Sequence, residues 1–314
     1  MNVLVTGGAG FIGSWLCEEL IKKGNFVVCY DNFYTGSKKN IKTILDDENF
    51  LLVRDTILNL RSLKKIIKEN SIEIIFHLAA VVGVKRTLEN PLKVLDVNIN
   101  GTRNVLEAAS DCKKVIFSSS SEVYGEPIQI PEKEDGHVNP KLPYAISKLV
   151  GEKYCQAYFD EFGLKTTSLR FFNVYGPKQD TSAYGFVASI FIDRVLNDKP
   201  PIIFGDGTQS RTFMFIRDNL NATLLAAKKN STNGIVLNIG SDRSITINDL
   251  AKKIIEISGK NFTPIHSSPR KFDIKHRKPD ITKMKRILEF KPKVSLEDGL
   301  KRTIDWYKSK SERR

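Results

Sequence analysis

Short apolar runs recur through the first half of the chain, and each one stops at a small or polar residue. Residues 2–6 run into Gly7-Gly8-Ala9-Gly10-Phe11-Ile12-Gly13, after which 14–21 carries apolar residues at helical spacing. This predicts a strand, a tight turn and a helix. Residues 27–30 end at Asp31-Asn32, 51–53 at Asp55, 72–76 at His77, 114–117 at Ser118 and 165–170 at Phe171. Helical stretches occupy many of the gaps, and 33–37 reads as a loop. Strands alternating with crossover helices predict an α/β fold, a mostly parallel sheet covered on both faces, with ligands at the strand ends.

Beyond about Pro177 the rhythm changes. Residues 184–197 read as a helix, 201–204 as a strand closed by Gly205-Asp206-Gly207, and 220–229 as a helix. A late strand at 236–239, a helix at 247–258 and a loop with a terminal helix over 290–307 follow. The division expected is 1–177 for the main sheet and 178–314 for a smaller, mainly substrate-binding lobe interleaved with it. Residues 308–314 read as a charged fray.

Composition adds limits. With 314 residues, 41% hydrophobic and 27% charged, the chain can bury a sizeable core and is neither collagenous nor wholly disordered. The 49 Lys and Arg against 36 Asp and Glu leave a charge of +13, which suits nucleic acid, an anionic membrane surface or a negatively charged small molecule. No zinc-finger, RNA-recognition or basic-helix pattern supports the first. No run approaches 18 apolar residues, so a membrane-spanning segment is not expected. Cys17, Cys29, Cys112 and Cys155 form no CxxC, and no secretory pattern precedes Val3; a reducing, cytoplasmic setting is expected.

Gly8-x-Gly10-x-x-Gly13 opens a helix directly after a strand, where glycine lets the backbone approach a pyrophosphate and the helix N-terminus meets its charge. Asp31 ends the next strand, placed to accept from ribose hydroxyls and to favour NAD over NADP, with Lys38 and Lys39 as the counter-indication. Asp55 suits either an adenine contact or an Asx turn. Tyr144 and Lys148 lie four apart, on one face of a helix, where a cation beside a phenol would lower its reference pKa of about 10. A hydroxyl from the run Ser118-Ser119-Ser120-Ser121, Ser120 above all, can bond the reacting oxygen opposite Tyr144. His77 has no partners at ligand spacing, so no metal is expected and the residue is read as cofactor-pocket lining.

These motifs resemble the NAD-dependent nucleotide-sugar epimerase/dehydratase family of extended short-chain dehydrogenase/reductases over essentially the whole chain. The resemblance rests on 6–14, Asp31-Asn32, His77 to Ala80, Asn98 with Gly101-Thr102, 118–125, Tyr144 with Lys148, 170–177, 205–207 and Arg211. It implies a Rossmann-like doubly wound parallel sheet with a smaller C-terminal substrate-binding lobe, and a bound NAD that is regenerated in each cycle. By this likeness Gly7, Gly10, Phe11, Ile12, Gly13, Asp31, Asn32, Asp55 and Thr56 hold the cofactor. So do Leu78, Ala79, Ala80, Asn98, Ser118, Tyr144, Lys148, Phe171 and Val174. The catalytic set it implies is Tyr144, Lys148, Ser120 and Glu122; Ser120, Asn173, Arg211 and Arg277 would bind substrate, the arginines neutralising its diphosphate. The partner implied is a nucleotide-diphosphate sugar, UDP-linked, and a second copy of the chain through helices near 91–109 and 144–162. Among family reactions the chain is most similar to UDP-sugar 4-epimerases of the UDP-glucose/UDP-galactose type. Glu122 keeps UDP-glucuronate decarboxylase and nucleotide-sugar 4,6-dehydratase as alternatives, although Ser121 stands where dTDP-glucose dehydratases carry an acid.

Overall fold

Alternate residues of each central strand face opposite ways, and both sets are buried. The computed structural model describes residues 1–182, 185–269 and 274–311. Its first part runs β1 (Asn2–Thr6), α1 (Phe11–Lys22), β2 (Phe26–Tyr30), β3 (Phe50–Val53), α2 (Leu60–Glu69), β4 (Ile74–His77), α3 (Val84–Glu89), α4 (Pro91–Ala108), β5 (Lys114–Ser120), α5 (Pro143–Phe162) and β6 (Thr166–Phe171). Val3, Val5, Val27, Cys29, Phe76 and Ile116 join a core cluster on one face, packed with Leu16 of α1. Leu4, Val28, Ile75, Val115 and Phe117 join a second cluster with Leu63 of α2, Val105 of α4 and Cys155 of α5. Period-two alternation therefore builds two apolar faces rather than one apolar and one wet.

The remainder runs β7 (Val174–Tyr175), α6 (Val187–Leu196), β8 (Ile202–Phe204), β9 (Ser210–Thr212), β10 (Met214–Phe215), α7 (Ile216–Lys228), β11 (Ile235–Ile239), β12 (Ser244–Thr246), α8 (Ile247–Ser258), β13 (Ile265–Ser267), α9 (Thr282–Leu288) and α10 (Leu296–Ser311). The helix expected over 220–229 starts four residues early, because β10 turns straight into it. The helix expected from Tyr184 is described from Val187; Tyr184 and the last three residues of the charged fray lie outside the described residues. The chain returns to the large sheet after Pro177, since β11 pairs in parallel with β6.

The seven-stranded sheet has the order β11-β6-β5-β4-β1-β2-β3, and all its pairings are parallel. The chain moves outward from β1 to β3 and then crosses back to β4, so the order reverses between β1 and β4. Ligand crevices form at the carboxyl ends of strands around such a reversal. The turn after β1, Asp31 after β2, residues 78–80 after β4 and the end of β5 all lie there. Among the described residues no helix is long and apolar enough to cross a membrane. Cys17, Cys29, Cys112 and Cys155 are buried free thiols.

Candidate active site

The glycine turn is built by contacts that no side chain would allow. Gly7 has φ +71°, and a Cβ there would stand 2.7 Å from the Ala79 nitrogen; one on Gly13 would stand 2.2 Å from the Gly7 carbonyl. No side chain caps the first turn of α1, whose N-cap is Gly10. Its N-terminal end is thus open to an anion. Asp31 is buried, accepting from the Ala9 N–H at 3.0 Å and the Phe33 N–H at 2.7 Å. Burial raises its carboxyl above the ordinary range while those two donors pull it back. Each oxygen keeps a further lone pair for a ribose hydroxyl.

One continuous cleft of about 2250 Å³ is lined by Gly7, Gly10, Phe11, Ile12, Gly13, Asp31, Asn32, Asp55, Thr56, Leu78, Ala79, Ala80, Ser118, Ser120, Glu122, Tyr144, Lys148, Phe171, Asn173, Val174 and Arg211. The structure therefore gathers nearly all of the expected residues into a single cleft. Asp55 accepts from the Thr56 N–H and the Asn59 amide. Burial works against its charge, but hydrogen bonds from Ser62, Thr56, Tyr30 and Asn59 outweigh it and hold the carboxyl below its usual range. Its local bonding is turn-like even though it faces the cleft.

The chemical centre joins β5 to α5. The Lys148 ammonium donates to the Ser118 carbonyl at 2.6 Å and lies 4.9 Å from the Phe117 ring centroid. Burial pushes it down to about 7. The Tyr144 phenol shares the cleft wall with Ser120, whose hydroxyl accepts from the Glu122 N–H at 3.2 Å. The sequence expectation that Lys148 lowers the phenol is corrected here. Burial raises Tyr144 well above its ordinary value, the nearby Ser120 hydroxyl opposes the rise, and the Glu122 carboxylate adds to it. Lys148 stands 5.8 Å from the Tyr144 ring centroid with its charge turned to a carbonyl.

Three further expectations are corrected. Asn98 is not part of the cleft wall. It is 3% exposed and clamps Val81, accepting from its N–H at 2.7 Å and donating to its carbonyl at 3.2 Å, while its amide also donates to Ser147 at 3.0 Å. It fixes the loop after β4 against α5 from behind. His77 is likewise a buried strut, between the Thr6 hydroxyl at 2.8 Å and the Thr102 hydroxyl at 3.0 Å. Burial, helped by Lys148, pushes it down to about 3 and keeps it neutral. Arg277 is 2% exposed and lies behind the wall, donating to Glu122 at 2.8 Å and to the Gly125 carbonyl. Its fork is occupied by protein, whereas Arg211 lines the cleft and donates to the Ser210 carbonyl at 2.8 Å.

Asn173 takes φ +37°, a left-handed turn fixed by its amide donating to the Thr212 carbonyl at 2.9 Å. Asn tolerates that conformation better than most side chains. Gly125 has φ +64°, and a Cβ there would overlap the Asn139 carbonyl, so the 125–142 loop requires glycine at its root. The turn at 205–207 is structural: Asp206 accepts from Thr208, and Gly207 abuts Asn248. Among the described residues no group of His, Cys, Asp and Glu could hold a metal ion.

Residues missed from sequence complete the surroundings. Glu152 binds Arg170 through two hydrogen bonds of 2.9 and 2.8 Å and also receives the Ser119 hydroxyl. The signal was Glu152 one helical turn after Lys148. Glu132, buried beside Arg277, gave no signal at all.

A family model described as the NAD dependent epimerase/dehydratase family matches residues 3–240. The UDP-N-acetyl-alpha-D-glucosaminuronate decarboxylase of Bacillus cytotoxicus is 38% identical, over 97% of both chains. The UDP-glucose 4-epimerase of Thermotoga maritima, solved with UDP-glucose, is 38% identical with a TM-score of 0.94, covering 99% of this chain and all of the other. The UDP-glucuronic acid 4-epimerase of Bacillus cereus, solved with UDP-glucuronic acid and NAD, is 36% identical with a TM-score of 0.91, covering 98% of this chain and 99% of the other.

Proposed function

Because the chain belongs to the NAD-dependent epimerase/dehydratase family, we propose that it inverts C4 of a UDP-linked hexose through a transient 4-keto sugar. The observation that carries this reading is the convergence of Tyr144, Ser120 and Lys148 on the same cleft as the glycine turn and Arg211. The glycine contacts, the uncapped start of α1 and the Asp31 carboxylate fit NAD, which when bound supplies the hydride acceptor for C4. Tyr144, ionised to the phenolate for this step, takes the C4 hydroxyl proton and later returns it, Ser120 orients the sugar oxygen, and Lys148 holds its register through Ser118. Arg211 holds the diphosphate as a planar fork while the keto sugar turns to present its other face. T. maritima and B. cereus relatives that are named 4-epimerases support the reaction class.

A second reading draws on one observation. Glu122 lines the cleft with Arg277 behind it, and oxidation at C4 of a sugar bearing a C6 carboxylate yields a β-keto acid that loses carbon dioxide. The B. cytotoxicus relative is named for such chemistry. The two readings separate when the purified protein is given UDP-glucose, UDP-N-acetylglucosamine and UDP-glucuronate and products are followed by mass and NMR. An unchanged mass with inverted C4 supports epimerisation, and loss of carbon dioxide supports decarboxylation. No turnover on any of them overturns both. Tyr144→Phe should lower turnover by about 10²- to 10⁴-fold with NAD retained.

The assembly we propose is a homodimer through α4 and α5, whose outward positions include exposed Leu92, Ile146 and Phe162. Sedimentation that gives a monomer at micromolar concentration would remove that element.

A further inference from the structure

Arg277 has more carboxylate around it than it binds. Its Nη1 donates to Glu122 Oε1 at 2.8 Å and its Nη2 to the Gly125 carbonyl, while its Nε faces Glu132 Oε1 at 3.5 Å without a hydrogen bond. Neither oxygen of Glu132 has a hydrogen-bond partner, although its side chain is only 2% exposed. A buried carboxylate left this way is costly, and its place is not accidental to the backbone. The Glu132 N–H donates to the Lys278 carbonyl and its carbonyl accepts from Asp280, so the strand-like contact at Glu132 and Pro279 aims the side chain at Arg277.

The two carboxylates differ in freedom. The Glu122 side chain is 41% exposed on the cleft wall, whereas Arg277 cannot follow it out, being 2% exposed and tied to Gly125. If Glu122 turned to a sugar in the cleft, the buried guanidinium would lose its hydrogen-bonded counter-ion. We propose that Glu132 is a standby counter-ion, a positioning residue that neutralises Arg277 from behind and so allows Glu122 to leave it for the substrate. Arg277 and Arg211 favour a charged Glu132, while burial, the largest influence, and the Glu122 carboxylate disfavour it and push it up to about 7. Moving Glu122 away therefore favours the charged form of Glu132 at the moment when Arg277 needs it.

The activity arm of this inference rests on the proposed sugar oxidation; the stability arm does not. Glu132→Gln keeps size and polarity but removes the charge. It should lower kcat about tenfold on the substrate the wild type turns over, leave KM within about twofold, and remove a pH-rate limb near neutrality. In an E122Q background the same change should have no further effect on kcat, because there is no longer a carboxylate to release. Equal losses in both backgrounds, or no loss in either, would overturn the proposal. For stability, E122Q and E132Q should each lower Tm modestly, and the double variant by more than their sum, because Arg277 then has no counter-ion. An additive double variant overturns the standby role. A wild type that turns over no sugar, with the Tm coupling present, would sink the functional reading alone.

Discussion

Two arginine–carboxylate sites flank the serines at the end of β5, and they are built on opposite plans. Arg170 and Glu152 form a closed pair: two parallel hydrogen bonds, both side chains 4% exposed, a third bond to Glu152 from Ser119 and the guanidinium laid 4.7 Å from the Tyr124 ring centroid. Arg277 is shared between a half-exposed Glu122 and an unsatisfied Glu132. A satisfied pair fixes one geometry, and an unsatisfied trio has alternatives available. Burial alone does not distinguish structure from function here; the completeness of the hydrogen bonding does.

The comparison breaks most sharply at Glu152. Glu152→Ala leaves Arg170 buried and uncompensated, and should cost about 3–5 kcal/mol in urea unfolding. A loss below about 1 kcal/mol would mean that the closed pair is no more structural than the open one. Next, Glu122→Gln should remove about 10²-fold in turnover while shifting stability by under about 1 kcal/mol, checked by steady-state kinetics beside the same unfolding curves. Arg211→Ala should weaken UDP-sugar binding by about tenfold or more in calorimetry with NAD content unchanged, since the residue lines the cleft. Equal loss of sugar and cofactor would take it out of the diphosphate role.

A last effect concerns a buried cation with no carboxylate partner among the described residues. Lys114 donates to the Ala226 and Lys229 carbonyls and the Thr232 hydroxyl, and burial, with Lys165, pushes it down to about 8. An unfolded lysine titrates near 10.5. Between these values the unfolded chain binds the extra proton, so Lys114 makes stability rise with pH from about 8 to 10. Lys114→Met should flatten that rise while lowering stability throughout, as seen in unfolding curves taken across the window.

What could be read from the sequence was what lies within one element or one turn. The strand-to-turn-to-helix of 2–22, the Tyr144 and Lys148 spacing and the strand-end acid Asp31 are local patterns, and the structure places them in one cleft. The failures were matters of partnership between distant segments. Arg277 looked like a free diphosphate ligand because nothing near it in sequence shows that Glu122, 155 positions away, occupies its fork. His77 and Asn98 sit in motifs but face Thr102 and Val81 rather than the cleft. Spacing alone also suggested that Lys148 lowers the Tyr144 phenol, because it counts residues and not the low-dielectric surroundings that burial creates.

Consecutive residues of β5 address residues one turn apart on α5: the Ser118 carbonyl meets Lys148 and the Ser119 hydroxyl meets Glu152, while Ser120 lines the cleft with Tyr144. Strand and helix act there like a key cut against its lock, each tooth set by the next. The acid–base apparatus thus forms a cassette within residues 114–162, its strand indexed to its helix by direct hydrogen bonds. Substrate preference can be rewritten in the other walls of the cleft while this cassette stays in register, which is how one such scaffold can serve several sugars and more than one outcome.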